Sequence, residues 1–239
     1  MIVMNILLTN DDGYSSTGIQ ILKKLLLPYG RVVIVAPLEG MSAKSCSITL
    51  GKPIQIQKME SDVFACSGTP ADCVSYALSS LGIDFDLVVS GINHGLNISY
   101  DTMYSGTVGA CLEALIFHKK TIAVSTENNF GLVEKRFGDV WDYVIAHQLL
   151  SETHLLNINF PLGDEVKKIS LGRLHYRQDR NYFVEKPDGY YAYRYMEDFS
   201  IAEHDTDLYQ INHQTVSIVP LSRSYFSNDL YEKLLKKTK

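Results

Sequence analysis

The sequence predicts an α/β fold, a mostly parallel sheet flanked by helices, followed by a β-rich C-terminal stretch. Three observations carry this reading. Apolar runs at residues 6–8, 31–36, 87–89, 121–125 and 155–160 read as core strands, and the run at 31–36, without alternation, suits a strand buried on both faces of a parallel sheet. Segments with apolar residues at helical spacing stand between most of them. Beyond Pro161 the texture changes to short alternating segments rich in tyrosine.

Residues 5–19, NILLTNDDGYSSTGI, open the pattern. The run Ile6-Leu7-Leu8 stops at Asn10-Asp11-Asp12-Gly13, and helical patterning begins near Gly18. Two adjacent acids beside a buried strand end repel each other unless a cation compensates them. A hard divalent ion, which takes oxygen ligands, is the simplest such cation. For this stretch alone, a solvated Asp-Asp-Gly turn is the plainer alternative. Ile21, Leu22, Leu25 and Leu26 share one helical face, and Pro28-Tyr29-Gly30 punctuates its end.

The strand at 31–36 stops at Pro37, and a polar loop carrying Ser42 follows. Residues 47–50 and 53–57 are expected to pair as a small antiparallel excursion. Thr69, Pro70 and Asp72 write a helix start as cap, first-turn proline and capping-box acid. Val74, Ala77, Leu78 and Leu81 form its buried stripe, and Gly82 ends it. The strand at 87–89 opens into a long polar loop through Asn93, His94 and Asn97 to Ser105-Gly106-Thr107, where a helix over 108–117 begins. Phe137, Val140, Trp141, Val144, Ile145 and Leu149 mark the next helix, with Trp141 in the core.

Residues 168–174, 190–195 and 215–219 read as strands, Pro187-Asp188-Gly189 as a hairpin turn, and a last helix lies near Leu230. The tyrosine-rich hairpin either meets a partner surface in oligomerisation or folds back on its own domain.

Composition narrows the function classes. The 239 residues suffice for one large α/β domain or a domain plus an appendage, and 46% hydrophobic with 21% charged residues is ordinary for a globular chain. A net charge of -5 argues against stable binding to duplex nucleic acid through a basic face, while leaving room for a local nucleotide site. No apolar run approaches the about 20 residues of a membrane span. Residues 1–5 lack the features of a signal peptide. Cys46, Cys66, Cys73 and Cys111 are scattered without a Cys-x-x-Cys pair, as in a reducing cytoplasm. A cytoplasmic location is expected.

In a parallel α/β sheet, ligands bind outside the carboxyl ends of the strands. Asp11-Asp12 follows the first strand, Ser42 the second, and Asn93 a third. Two carboxylates, a hydroxyl and a carboxamide make an all-oxygen shell that suits magnesium or manganese better than zinc. Ser105-Gly106-Thr107, opening a helix, offers N–H groups and hydroxyls as a phosphate cradle. Metal and cradle together suggest attack of an activated water on a phosphoryl group, with an aspartate as general base.

The chain also resembles the SurE, or survival protein E, family of metal-dependent 5'/3'-nucleotidases. The motifs that carry the resemblance are ILLTNDDG at 6–13, Val35-Ala36-Pro37 with Ser42, residues 45–50, GTPADCV at 68–74, DLVVSGINHGLN at 86–97 and YSGT at 104–107. Asp205-Thr206-Asp207 and VSIVPL at 216–221 extend it over nearly the whole chain. The resemblance implies a Rossmann-like core over residues 1–160 and a hairpin-rich extension with a C-terminal helix over 161–239, within one domain. It implies one divalent metal ion per subunit, Mg or Mn, held by Asp11, Asp12, Ser42 and Asn93. It further implies hydrolysis of nucleoside 5'- and 3'-monophosphates by direct attack of water, with Asp12 as base and Asn97, Ser105, Gly106 and Thr107 facing the phosphate. A homodimer or homotetramer with exchanged C-terminal segments is expected on the same ground.

The chain departs from the family pattern at Ser16-Thr17, at Ala43, and at Ile98-Ser99-Tyr100, where the family carries glycine. None of these removes a proposed ligand. His94 stands inside the site loop, but at a position where the family pattern has no fixed histidine. His204, His213 and Lys44 read as surface residues, and Asp205 and Asp207 as turn or capping residues. The competing reading from another class is a nucleotide- or phosphate-responsive binding module without turnover. A receiver domain would need a phospho-accepting aspartate at the strand end occupied by Ser90-Gly91-Ile92-Asn93, and a haloacid-dehalogenase-type phosphatase needs two aspartates separated by one residue. Adjacent Asp11-Asp12 does not supply that pattern.

Overall fold

The computed structural model describes residues 4–176, 180–195, 202–223 and 228–237. The chain starts with β1 (Met4–Thr9), α1 (Thr17–Leu26) and β2 (Gly30–Pro37), continues through β3 (Ile56–Glu60), β4 (Val63–Cys66) and α2 (Pro70–Ser80), and reaches β5 (Leu87–His94). Then come α3 (Asp101–Tyr104), α4 (Gly106–Ile116), β6 (Lys120–Thr126), α5 (Phe130–Ala146) and β7 (His154–Asn159). The C-terminal part adds β8 (Lys168–Leu171), β9 (Arg180–Lys186), β10 (Gly189–Tyr195), α6 (Asp207–Asn212), β11 (Thr215–Ser222) and α7 (Asn228–Leu235).

Among the described residues the main sheet has nine strands in the order β3-β4-β2-β1-β5-β6-β7-β11-β8. The stretch from β4 to β7 is parallel throughout, with an antiparallel strand added on each side, β3 against β4 and β11 against β7. The unbroken apolar strands are buried on both faces, as their lack of alternation predicts. Ile6, Leu8, Val32, Ile34, Val89 and Val124 pack with α1 and α5 on one face. Leu7, Val33, Val35 and Val88 pack with Cys73, Val74 and Ala77 of α2 and Ala110 and Ala114 of α4 on the other. Trp141 lies in the first cluster, 6% exposed.

The antiparallel excursion exists but is displaced. The paired segments are β3 and β4, and residues 47–55 take no strand. Thr49 explains the shift: its N–H and hydroxyl both donate to the Asp72 carboxylate, at 2.9 and 2.7 Å, which fixes this stretch onto the start of α2 instead of onto a neighbouring strand. Asp72 also closes the expected capping box with Thr69. The loop expected after residue 89 is shorter than its polarity suggests, because β5 runs on to His94 and α3 is a short helix. β9 and β10 pair around the expected turn as a two-stranded sheet separate from the main one. Beyond residue 160, β8 and β11 join the main sheet.

One close approach locks the acidic turn to the end of β5. Gly18, in the first turn of α1, lies so near the Ile92 carbonyl oxygen that a Cβ there would sit 2.0 Å from it. Gly18→Ala is therefore expected to lower stability by about 1–3 kcal/mol in urea unfolding. An unchanged unfolding midpoint would show that this contact yields without cost.

Candidate active site

The order β2-β1-β5 places a topological switch at β1, since the chain builds outward through β2 and β4 on one side and through β5, β6 and β7 on the other. Ligands bind at such crevices, outside the carboxyl ends of the strands. Asp11-Asp12 and Asn93 stand on either side of that crevice. A cleft of about 420 Å³ opens there, lined by Asp11, Ser42, Ala43, Asn93, His94, Asn97, Asp101, Tyr104 and Ser105.

The acidic turn is shaped by Asn10, which is fully buried. Its Nδ2 donates to the Gly13 carbonyl and the Ser16 hydroxyl, at 2.9 and 2.7 Å, and its Oδ1 accepts from the Gly13 N–H. Gly13 has φ +103, a left-handed conformation open to glycine. The Tyr14 N–H donates to the Pro37 carbonyl and the Met41 N–H to the Asp11 carbonyl, at 2.8 and 2.7 Å. These bonds carry the loop with Ser42 to the acids.

Asp11 is 4% exposed, and its Oδ1 accepts from the Thr107 hydroxyl at 2.5 Å. The start of α4 comes so close that a Cβ on Gly106 would lie 2.8 Å from the Asp11 Cβ. Burial raises the Asp11 pKa above the ordinary 3.8, Thr107 works against the rise, and the neighbouring Asp12 charge adds to it. Asp12 is half-buried, and its Oδ2 accepts from the His94 N–H at 3.3 Å. Its pKa is also raised by burial, with the bond from His94 opposing.

The remaining expected residues divide between the cleft wall and its support. Ser42 is exposed in the cleft. Asn93 donates from Nδ2 to the Gly95 carbonyl at 2.7 Å, so its Oδ1 is the amide atom left for a ligand. Asn97 is buried at the wall, and its Nδ2 donates to the Ser125 hydroxyl at 2.9 Å. Ser105 lines the cleft and caps α4 by accepting from the Val108 N–H. Thr107, expected to face the phosphate, is fully buried, and its hydroxyl donates to Asp11. Gly106 likewise serves the close packing of Asp11. His94 reaches the cleft, with its ring Nε2 against the Asn128 side-chain oxygen. Lys44, His204 and His213 are exposed.

This donor set fits a hard cation. Two carboxylates stand side by side in the chain, burial raises the pKa of both, and no Lys, Arg or His among the described residues forms an ion pair with either. Ser42 and the Asn93 carboxamide add neutral oxygens. Among the described residues no three His, Cys, Asp or Glu side chains gather into a metal-binding group. A cation here would therefore depend on Ser42, Asn93 and water beside the two acids.

Sequence reasoning missed the support. Ala43, Asp101 and Tyr104 complete the cleft wall, while Asn157 and Asn159 hold Asn97 through its backbone. Two asparagines inside the apolar run LLNINF were the available signal, because buried amides require partners.

Residues 6–181 match the family model described as Survival protein SurE. A 5'-nucleotidase SurE of Acinetobacter baylyi is 43% identical over 170 residues, 66% of each chain. One of Haemophilus influenzae is 38% identical over 227 residues, 91% of each chain. The crystal structure of the SurE protein from Aquifex aeolicus superposes with a TM-score of 0.86 at 32% identity, covering 98% of this chain and 100% of that one.

The raised pKa of Asp11 carries a stability prediction. A carboxyl whose folded pKa exceeds 3.8 destabilises the metal-free fold once ionised; the penalty is absent below 3.8 and complete above the folded value. Asp11→Asn, which keeps the acceptor for Thr107, should stabilise the metal-free protein at neutral pH. The gain should shrink as pH falls toward 3.8. Urea unfolding across this range checks it, and a destabilised variant at neutral pH would contradict it.

Proposed function

The chain belongs to the SurE family, and from that premise we propose that it hydrolyses nucleoside monophosphates, 5' and 3', to nucleoside and phosphate. The observation that carries the reading is the cleft at the switch point, where Asp11, Ser42, Asn93, Asn97 and Ser105 line one cavity beside Asp12.

Asp11, Asp12, Ser42 and Asn93 would hold one divalent ion, magnesium or manganese. When bound, such an ion supplies charge to offset the phosphoryl oxygens and acidity to a nearby water. Asp12 is the general base in this reading, taking a proton from the water whose oxygen bonds to phosphorus, while the P–O bond to the nucleoside breaks and its oxygen takes a proton from solvent. Its half-buried carboxylate suits that task, since burial raises its pKa above the ordinary 3.8 and makes it a stronger proton acceptor. Ser105, at the open end of α4, offers a hydroxyl and the helix N-terminus to the phosphate. Asn97 is held rigidly enough to place its carboxamide without rearrangement. Thr107 acts one step removed, by orienting Asp11.

The same reading includes a cytoplasmic homodimer or homotetramer with exchanged C-terminal segments. An isolated two-stranded hairpin is at best marginally stable in water, and β9–β10 exposes Phe183 and Tyr190, each 67% exposed. Light scattering at the monomer mass of 26.9 kDa would refute the oligomer.

Phosphate release from a panel of nucleoside monophosphates, with magnesium, manganese or EDTA, tests the reaction. Release should require the metal and fall by about 10²–10⁴-fold in Asp12→Asn. A folded wild type that releases no phosphate from any member would leave a binding module without turnover.

A further inference from the structure

The loop that brings Asn97 and Asp101 to the cleft is held from behind by a residue far along the chain. Asp207, the first residue of α6, is fully buried and directs both carboxylate oxygens at backbone N–H groups. The Ser99 N–H donates to Oδ2 at 2.8 Å. The His175 and Leu208 N–H groups donate to Oδ1, at 2.9 and 2.8 Å. Among the described residues no ion pair involves Asp207; burial raises its pKa, and the bonds from Ser99, His175 and Leu208 oppose that rise.

Apolar packing reinforces the contact. Ile98 from the loop joins Ala202, Leu208 and Ile211 in a buried cluster, with Leu96 and Tyr209 against it. Ser99 has φ +52, a conformation unfavourable for a residue with a side chain, so outside contacts impose the shape of this loop. Its two anchors are distinct. The end of β7 grips the Asn97 backbone through Asn157 and Asn159, and Asp207 grips Ser99 two residues on.

We propose that Asp207 is a positioning residue for the cleft, fixing the 97–101 loop so that Asn97 and Asp101 face the substrate. The proposal rests on the nucleotidase reading of that cleft. It makes a residue outside the 6–181 segment of the family match part of the substrate site's construction. A carboxylate that only anchors α6 would need its bond to Leu208, not the one to Ser99.

Asp207→Asn keeps one oxygen for His175 and Leu208 but sets an amide NH₂ against the Ser99 N–H. Thr206→Ala is the control: it removes the hydroxyl that caps α6 by accepting from the Tyr209 N–H at 3.4 Å, and leaves the Ser99 contact intact. For a nucleoside monophosphate substrate, Asp207→Asn should raise KM by about tenfold. Manganese affinity measured without substrate should stay at the wild-type value. Thr206→Ala should keep the wild-type KM even where its Tm falls as far. A wild-type KM in Asp207→Asn, or equal KM rises in the two variants, overturns the proposal.

Amide exchange of the wild type decides the matter should Asp207→Asn fail to fold. The Ser99 amide should be protected like those of β5, and exchange at the rate of an open loop overturns the clamp. A wild type without phosphate release would instead refute the nucleotidase reading, with the Ser99 amide still reporting on the clamp itself.

Discussion

Two adjacent carboxylates at the end of a buried strand are costly to keep together, and the neighbourhood of the cleft is arranged around that cost. Burial raises the pKa of both Asp11 and Asp12, and their mutual repulsion adds to the rise at Asp11. Hydrogen bonds answer part of that cost, and among the described residues no ion pair forms with either acid. Thr107 donates to Asp11, the His94 backbone donates to Asp12, and Gly106 lets α4 approach without a side chain in the way. What remains is negative charge at the wall of an open cleft, the condition under which a hard divalent ion binds.

The parallel topology supplies the rest. Because β1 lies between β2 and β5, the loops that leave these strands converge on one crevice. Each is then fixed by bonds that do not touch substrate: Asn10 shapes the acidic turn, Met41 ties the Ser42 loop to Asp11, and Asn157 with Asn159 secures Asn97. Such support leaves little reorganisation for the moment of reaction, which is where preorganised polar sites gain their advantage. The C-terminal part belongs to the same construction, since β11 and β8 extend the main sheet and α6 packs behind the site loop.

Much of this was legible in the chain. Asp11, Ser42 and Asn93 stand where apolar runs stop, and a strand end is visible without knowing its neighbours. The capping box at Thr69 and Asp72 was equally local. What escaped depends on contacts between distant positions. Thr107 read as part of a phosphate cradle, because nothing local reveals a bond to Asp11, 96 positions away. Residues 47–50 alternate like a strand, yet Thr49 is claimed by Asp72. Val63–Cys66 is only four residues long and carries too little pattern to stand out. Asp207 looked like a capping acid, and its bond to Ser99 spans 108 positions.

The most direct measurement is anomalous diffraction from crystals grown with manganese. A single strong peak within oxygen-ligand distance of Asp11, Asp12, Ser42 and Asn93 is the expected result. No peak at the carboxylate pair, or a peak elsewhere on the molecule, would contradict the claim that this charge exists to hold a divalent ion.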